Sequence, residues 1–189
     1  MTSLTALTGQ LLVAMPQMQD PFFGRSVVYL CAHSQDEGAM GLIVNKTINW
    51  LTIDQLYDQL EIDSVKRSNP LQPVHFGGPV ASDHGFMLHS TDYRNEGTVS
   101  VGDEFALTAT LDILRAMGKG AGPRQCLVAL GYAGWGPGQL ESEINANGWL
   151  VATADTSLVF DANDDNKWRS ALSKLGVSPE GLSADSGRA

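Results

Sequence analysis

The sequence contains no run of about 18 apolar residues, and its amino terminus lacks a basic segment ahead of an apolar one. The first absence argues against a membrane-spanning helix, and the second argues against a secretory signal peptide. We therefore expect a cytoplasmic protein that makes no use of a membrane.

Cysteine is scarce, since the chain has only Cys31 and Cys126 and no CxxC pair. The lack of paired cysteines argues against a zinc site and against a thioredoxin-type redox motif. Each cysteine lies in an apolar run that is typical of a buried strand, so we expect reduced, buried thiols. A disulfide and a catalytic thiol are the alternatives.

Positive charge is also scarce, because 12 Lys and Arg stand against 21 Asp and Glu, for a formal net charge of −9. No segment forms a basic block, and Lys66–Arg67 is the densest basic pair. Direct binding to DNA or RNA usually requires a basic stripe that displaces counterions. The sequence therefore argues against direct binding of nucleic acid.

Motifs that would identify a reaction are missing. The chain has neither a P-loop nor a GxGxxG fingerprint, and neither HExxH nor a GxSxG elbow. His84 and His89 are five residues apart on a predicted strand, so their side chains point to opposite faces and cannot share a metal ion. We predict no metal ion, no cofactor and no catalytic residue, and the sequence favours a protein that is not an enzyme.

The chain is long enough for one full core, since 189 residues suit a single domain. We predict one domain over residues 1–178 and a flexible carboxy-terminal tail over residues 179–189, where the composition is polar and rich in small residues.

The apolar pattern predicts more strands than helices. Short apolar runs bounded by turn residues predict strands at 7–14, 26–33, 40–45, 74–76, 85–90, 125–132 and 149–153. Helical spacing predicts about four helices: one that begins at the capping box Thr52–Gln55, one that follows Phe105 and ends near Gly118, one after Gly138, and one that runs from Asp164 to the cap at Gly176. This order favours an α+β fold with a mostly antiparallel sheet.

Two glycine-rich segments follow predicted strands, at residues 131–138 and at Gly77–Gly78–Pro79. A strand, a glycine turn and a helix amino terminus together can bind an anion or a polar ligand. The alternative is a purely structural role, in which glycine gives room for a close backbone approach. The sequence leaves both interpretations open.

Polar residues border the apolar strands at Asp20, Arg25, Asn45 and Lys46. We expect Arg25 to form an ion pair with Asp20, and the alternative is a mixed-charge rim around a small pocket. Trp135 is expected to be exposed on a glycine turn, where its indole either stacks on a ligand or partner or covers the core.

Six blocks of the sequence form a recognisable set: Leu11–Pro16, Asp20–Phe23, Ser26–Cys31, Gly41–Lys46, Phe76–Val80 and Gly131–Glu141. Together they resemble the YqgE/AlgH family of bacterial proteins over roughly residues 8–176. The resemblance implies a bifurcated sheet curled into a pseudo-barrel flanked by helices, in a bacterial cytosolic protein. It supplies no reaction and no catalytic residues, and one branch of the family is labelled a regulator of alginate synthesis and of transcription.

Two hypotheses follow. The favoured one is a regulatory protein that acts on transcription indirectly, through a protein partner. The other is a small-ligand-binding protein or an enzyme that uses the glycine-rich loops 20–25, 76–79 and 131–141, which we expect to meet at one end of the sheet. The predicted ligand or partner site consists of Asp20, Phe22, Arg25, Asn45, Lys46, Gly77, Gly78, Pro79, Gly134, Trp135, Gly136, Gln139 and Glu141.

Overall fold

The computed structural model describes residues 7–64 and 72–184, so the basic pair Lys66–Arg67 lies outside the described residues. The strands are β1 (Gln10–Ala14), β2 (Val27–Ser34), β3 (Gly38–Ile43), β4 (Thr47–Thr52), β5 (Pro73–Phe76), β6 (Val80–Ser90), β7 (Thr98–Val101), β8 (Phe105–Thr108), β9 (Cys126–Trp135) and β10 (Trp149–Thr153). The helices are α1 (Ile53–Gln59), α2 (Leu111–Gly118), α3 (Gln139–Asn145), α4 (Thr156–Val159), α5 (Asp164–Lys174) and α6 (Pro179–Ala184).

The fold is α+β, as predicted. Its sheet is mostly antiparallel and curls into a half-barrel. Its main path runs β10-β1-β2-β3-β9-β6-β8-β7. Strand β9 is the branch point, because its end pairs with β3 while its middle pairs with β6 and, in parallel, with β5. Strand β5 also pairs with β4, which completes the second arm of the bifurcated sheet.

Local signals explain several elements. The predicted strands 26–33 and 40–45 are confirmed as β2 and β3, which form an antiparallel hairpin paired from Val28↔Ile43 to Ser34↔Gly38. The capping box is confirmed as well: Thr52 Oγ1 accepts from the amide of Gln55, and the Gln55 side chain accepts from the amide of Thr52. At the other end of the chain, Gly176 follows α5 with φ +70°, the left-handed conformation that ends helices.

The segment after Phe105 differs from the prediction. Phe105–Thr108 is strand β8, paired with β6 and β7, and the helix begins only at Leu111. Leu111 begins this helix with its side chain 45% exposed, and Ile113 and Leu114 are the residues that it buries. Phe105 and Leu107 have the two-residue spacing of a strand, whereas Leu107 and Leu111 have the four-residue spacing of a helix. Pairing with β6 makes Phe105–Thr108 a strand.

Three apolar clusters fill the structure. One lies between the sheet and helices α4 and α5, where Trp168 and Leu172 are buried. A second lies beside α3 and includes Leu140 and Trp149. The third joins α1 and α2 to β5 and the first half of β9. Helices therefore cover the sheet at three places. The loops that connect these helical regions form the surfaces described in the next section.

The end of the chain forms the short helix α6 within the segment expected to be a tail, and residues 185–189 lie outside the described residues. The flexibility of that segment stays a prediction. Within residues 7–64 and 72–184, none of the helices has the length and apolarity that a membrane crossing requires.

Candidate functional site

The loop before β2 is fixed by the Asp20 carboxylate. Its Oδ1 accepts from the amides of Phe22, at 2.8 Å, and Phe23, at 3.0 Å. The predicted ion pair between Asp20 and Arg25 is not formed; the guanidinium of Arg25 lies over the ring of Trp168, 5.5 Å from its centroid. Arg25 itself has φ +56°, which ends the loop sharply before β2.

Asn45 and Lys46 tie this loop to the end of β3. The Asn45 side chain accepts from the amide of Val27 and donates to the carbonyl of Arg25. Lys46 Nζ donates to the carbonyl of Phe22 at 2.6 Å. Burial lowers the pKa of Lys46, although the nearby charge of Asp20 acts to raise it.

Gly77 and Gly78 permit a close backbone crossing, which is the structural interpretation of this segment. A Cβ on Gly77 would lie 2.2 Å from the carbonyl oxygen of Gly131, and one on Gly78 would lie 2.1 Å from the carbonyl carbon of Tyr132. Gly78 also has φ +154°. Side chains are therefore excluded at both positions, while Pro79 is exposed beside them.

The expectation that Trp135 is exposed on a glycine turn is wrong. Strand β9 continues through Trp135, and the residue is only 6% exposed. Its indole Nε1 donates to Glu143 Oε2 at 3.0 Å, and Trp149 Nε1 donates to the same oxygen at 2.8 Å. Phe23 packs against both indoles, with ring centroids 6.2 Å and 5.8 Å away. Trp135 is thus a core residue that anchors the loop before β2.

The start of α3 carries the other predicted residues. Gln139 accepts from the amide of Gly136 and donates to Glu143. Glu141 Oε1 lies 2.9 Å from Nε2 of His33, whose Nδ1 accepts from the amide of Leu7. Gly134 lines a groove that also contains Trp135 and His33.

The structure therefore brings together one set of predicted residues. We call residues 20–25, Asn45, Lys46 and 76–78 the loop cluster. Its parts are joined by the stack of Phe22 on Phe76, at 5.8 Å, and by the bond from the amide of Phe76 to the carbonyl of Lys46. The segment 134–141 adjoins this cluster through Phe23 and Trp135.

A second feature was not predicted. A cavity of about 290 Å³ lies between the start of β9 and the connection from α4 to α5. Three of its lining residues form a buried polar cluster: His75 Nε2 lies 2.9 Å from Asp164 Oδ1, and Lys167 Nζ lies 2.7 Å from the same oxygen. Lys167 also donates to the carbonyl of Val44 at 2.8 Å. We call this feature the charged cavity.

The electrostatics of the charged cavity follow from burial. Burial acts to raise the pKa of Asp164, but hydrogen bonds from His75 and Lys167 outweigh it and hold this pKa below its ordinary value. Burial lowers the pKa of Lys167, which is 2% exposed, and the Asp164 carboxylate opposes that shift. Asp164 is therefore ionised at neutral pH.

Both cysteines are free; Cys31 is buried, as predicted, whereas Cys126 is only partly buried. Burial raises the pKa of Cys31 and of Cys126 to about 12. Cys126 lines the charged cavity, but a thiol with this pKa is protonated at neutral pH and is a poor nucleophile. In the part of the chain that the structure describes, no three His, Cys, Asp or Glu side chains converge on a point that could hold a metal ion.

Sequence reasoning missed the charged cavity because its members are remote in the chain, with His75 and Asp164 standing 89 positions apart. One local signal was present. Lys167 lies between Asp164 and Ala171 on the buried side of α5, next to Trp168, and a lysine on an apolar helical stripe calls for a buried acceptor.

Comparison with known proteins confirms the resemblance seen in the sequence. The model of the AlgH-like family matches residues 11–180. A UPF0301 protein of Ruegeria pomeroyi is 52% identical over 184 residues, which cover 97% of this chain and 99% of that protein. A UPF0301 protein of Rhodospirillum rubrum is 48% identical over 183 residues, covering 97% and 94% respectively.

Two solved structures share the fold. The solution structure of the AlgH protein from Pseudomonas aeruginosa matches with a TM-score of 0.78 and 37% identity, over 100% of this chain and 99% of that one. The crystal structure of a protein from Corynebacterium diphtheriae matches with a TM-score of 0.65 and 22% identity, over 79% and 77%. The second likeness concerns the fold alone.

Proposed function

Because the chain belongs to the AlgH-like family, we propose that it is a cytoplasmic regulatory protein that acts on transcription indirectly, through a protein partner docked on the loop cluster. The observation that carries the proposal is the aromatic ring of Phe22. It is 47% exposed, yet it is stacked on Phe76 and held at the surface by a bonded loop.

The loop presents this ring in a fixed position. Asp20 holds the amides of Phe22 and Phe23, and Lys46 holds the carbonyl of Phe22. An aromatic anchor that is ordered before binding loses little conformational freedom on docking, so more of its burial contributes to affinity. Rigid aromatic side chains are enriched among residues that dominate the energy of protein interfaces.

The charge of the chain indicates the kind of partner. A formal net charge of −9 favours encounter with a protein of net positive charge. Added salt would screen this attraction and weaken it. The partner would provide an apolar pocket for Phe22. Lys46, whose Nζ donates to the carbonyl of Phe22, would face acidic or carbonyl groups at the rim of that pocket.

Photo-crosslinking in bacterial cells tests the proposal. A photoreactive phenylalanine analogue replaces Phe22 in one strain and Val99, which is 62% exposed on β7, in the control strain. We expect one discrete adduct with another protein at position 22 and none at position 99. An absent adduct at position 22, or the same adducts at both positions, would contradict docking on the loop cluster.

A second candidate function is the binding of a small molecule beside the glycine-rich segment of β9. A groove of about 540 Å³ favours it, since Met40, Tyr132, Gly134 and Trp135 are among its lining residues. Native mass spectrometry of freshly purified chain tests this candidate. Extra mass that disappears on denaturation supports it, and a bare chain mass after purification from several growth conditions counts against it.

A further inference from the structure

The charged cavity contains a polar atom that the fold does not satisfy. His75 is only 6% exposed, and its ring atom Nδ1 has no hydrogen-bond partner among the described residues. Buried polar atoms are nearly always paired, because an unpaired one costs about 1–3 kcal/mol. The atom therefore calls for a partner that is not part of the chain.

The state of the ring follows from its other nitrogen. Asp164 is ionised, and an ionised carboxylate only accepts hydrogen bonds, so Nε2 of His75 carries the proton that it donates to Oδ1. Oδ1 of Asp164 also accepts from the ammonium of Lys167, so the carboxylate is held between the two side chains. With that proton on Nε2, the neutral imidazole presents Nδ1 as a hydrogen-bond acceptor, which the contact with Asp164 holds in place.

The space beside His75 has room for a ligand. The cavity of about 290 Å³ is lined by the apolar side chains Leu127, Val159 and Phe160 as well as by the polar cluster. Apolar walls with a few fixed polar groups are typical of small-molecule sites. The lining carries as many acidic as basic side chains, with Asp161 and Asp164 against Arg124 and Lys167.

We propose that the charged cavity binds a small uncharged molecule that donates a hydrogen bond, from a hydroxyl or an amide N–H, to Nδ1 of His75. A balanced set of charges disfavours a free anion or cation, whose charge would lack a counterpart. The apolar lining contacts the carbon frame of the ligand, and the ordered acceptor sets its orientation. His75 is the binding residue, while Asp164 and Lys167 position its ring.

Histidine-ring NMR of the full chain labelled with ¹⁵N-histidine tests the proposal. The chain has four histidines, so each ring nitrogen can be assigned. The probes are uracil, nicotinamide and D-glucose as uncharged donors, with acetate as the charged comparator. We expect at least one uncharged probe to move the Nδ1 resonance of His75 in a saturable way, while the resonances of His33, His84 and His89 stay unchanged.

Two variants separate binding in the cavity from a nonspecific effect. Ala162→Phe places a ring at the exposed edge of the cavity and should abolish the shift of Nδ1. His75→Phe keeps an aromatic ring at this position but removes its acceptor. The affinity for the active probe, measured from its transferred-saturation signal, should fall about tenfold. His84→Phe, at a side chain that is 67% exposed, is the matched control and should change nothing.

The other outcomes overturn the proposal. A Nδ1 resonance that no uncharged probe moves means that a buried water satisfies this atom. A shift caused by acetate alone means that the cavity is an anion site. An effect of the same size in Ala162→Phe means that the probe binds elsewhere.

Discussion

Glu143 is the residue whose removal should reveal how the loop cluster is supported. Its Oε2 accepts from the indoles of Trp135 and Trp149, at 3.0 Å and 2.8 Å, and both indoles are buried, at 6% and 3% exposed. Its Oε1 accepts from the Gln139 side chain. One carboxylate therefore satisfies two donors that water cannot reach.

The Glu143→Ala substitution leaves both indole N–H groups without an acceptor. Each buried unsatisfied donor costs about 1–3 kcal/mol. Partial relaxation lets water reach one of the two, so we expect the free energy of unfolding to fall by about 3 kcal/mol. Glu143→Gln keeps an acceptor oxygen, and its loss should be less than half as large.

Urea unfolding at neutral pH, followed by circular dichroism and by tryptophan fluorescence, measures these losses. Glu37→Ala is the control, because Glu37 is an exposed glutamate and should change stability by less than about 0.5 kcal/mol. The reasoning is refuted if the free energy of unfolding of Glu143→Ala lies within about 0.5 kcal/mol of that of the natural sequence, which is the range of exposed substitutions. In that case the indole bonds do not stabilise this region.

Three further predictions concern other parts of the fold. Because the pKa of Asp164 is lowered, its contribution to stability is complete above about pH 4 and is lost as the pH falls through the folded-state pKa. In acid unfolding, the stability of Asp164→Asn should therefore depend less on pH in that range than the stability of the natural sequence. Gly77→Ala drives a Cβ into the backbone of Gly131 and should lower the melting temperature strongly or prevent folding, whereas Gly85→Ala, with 4.0 Å of clearance, should fold normally. Thr52→Ala removes one half of the capping box and should cost about 1 kcal/mol in urea unfolding.

Local patterns were enough to predict the elements whose signals lie in neighbouring residues. The apolar run of β2 and the turn at its end specify a hairpin with β3, and the capping box fixes the start of α1. The general α+β class follows because such strands outnumber the helices. Family resemblance, and not local pattern, supplied the bifurcated and curled shape of the sheet.

Tertiary pairing decided the parts that local patterns could not. Leu107 and Leu111 have the four-residue spacing of a helix, yet Leu107 pairs with β6 as part of a strand. Strand β4 was not predicted, because its pattern Thr47–Thr52 places Trp50 at the surface, 72% exposed. Trp135 was assigned to an exposed turn because glycines surround it, and contacts with Glu143 and Phe23 bury it instead.

The candidate sites also combine features that the sequence indicates with contacts that only the fold creates. Sequence pointed to Asp20, Phe22 and Lys46 because polar and aromatic residues border apolar strands there, and the contacts among them are visible only in the fold. The charged cavity left almost no trace in the sequence, since His75 and Lys167 meet across distant segments.

The affinity of the crosslinked partner for purified variants tests the central claim most directly. Titration calorimetry would compare the natural chain with Phe22→Ala and with the exposed control Val99→Ala. Docking on the loop cluster predicts a loss of about tenfold or more for Phe22→Ala and no change for Val99→Ala. Equal affinities of all three chains would contradict the claim.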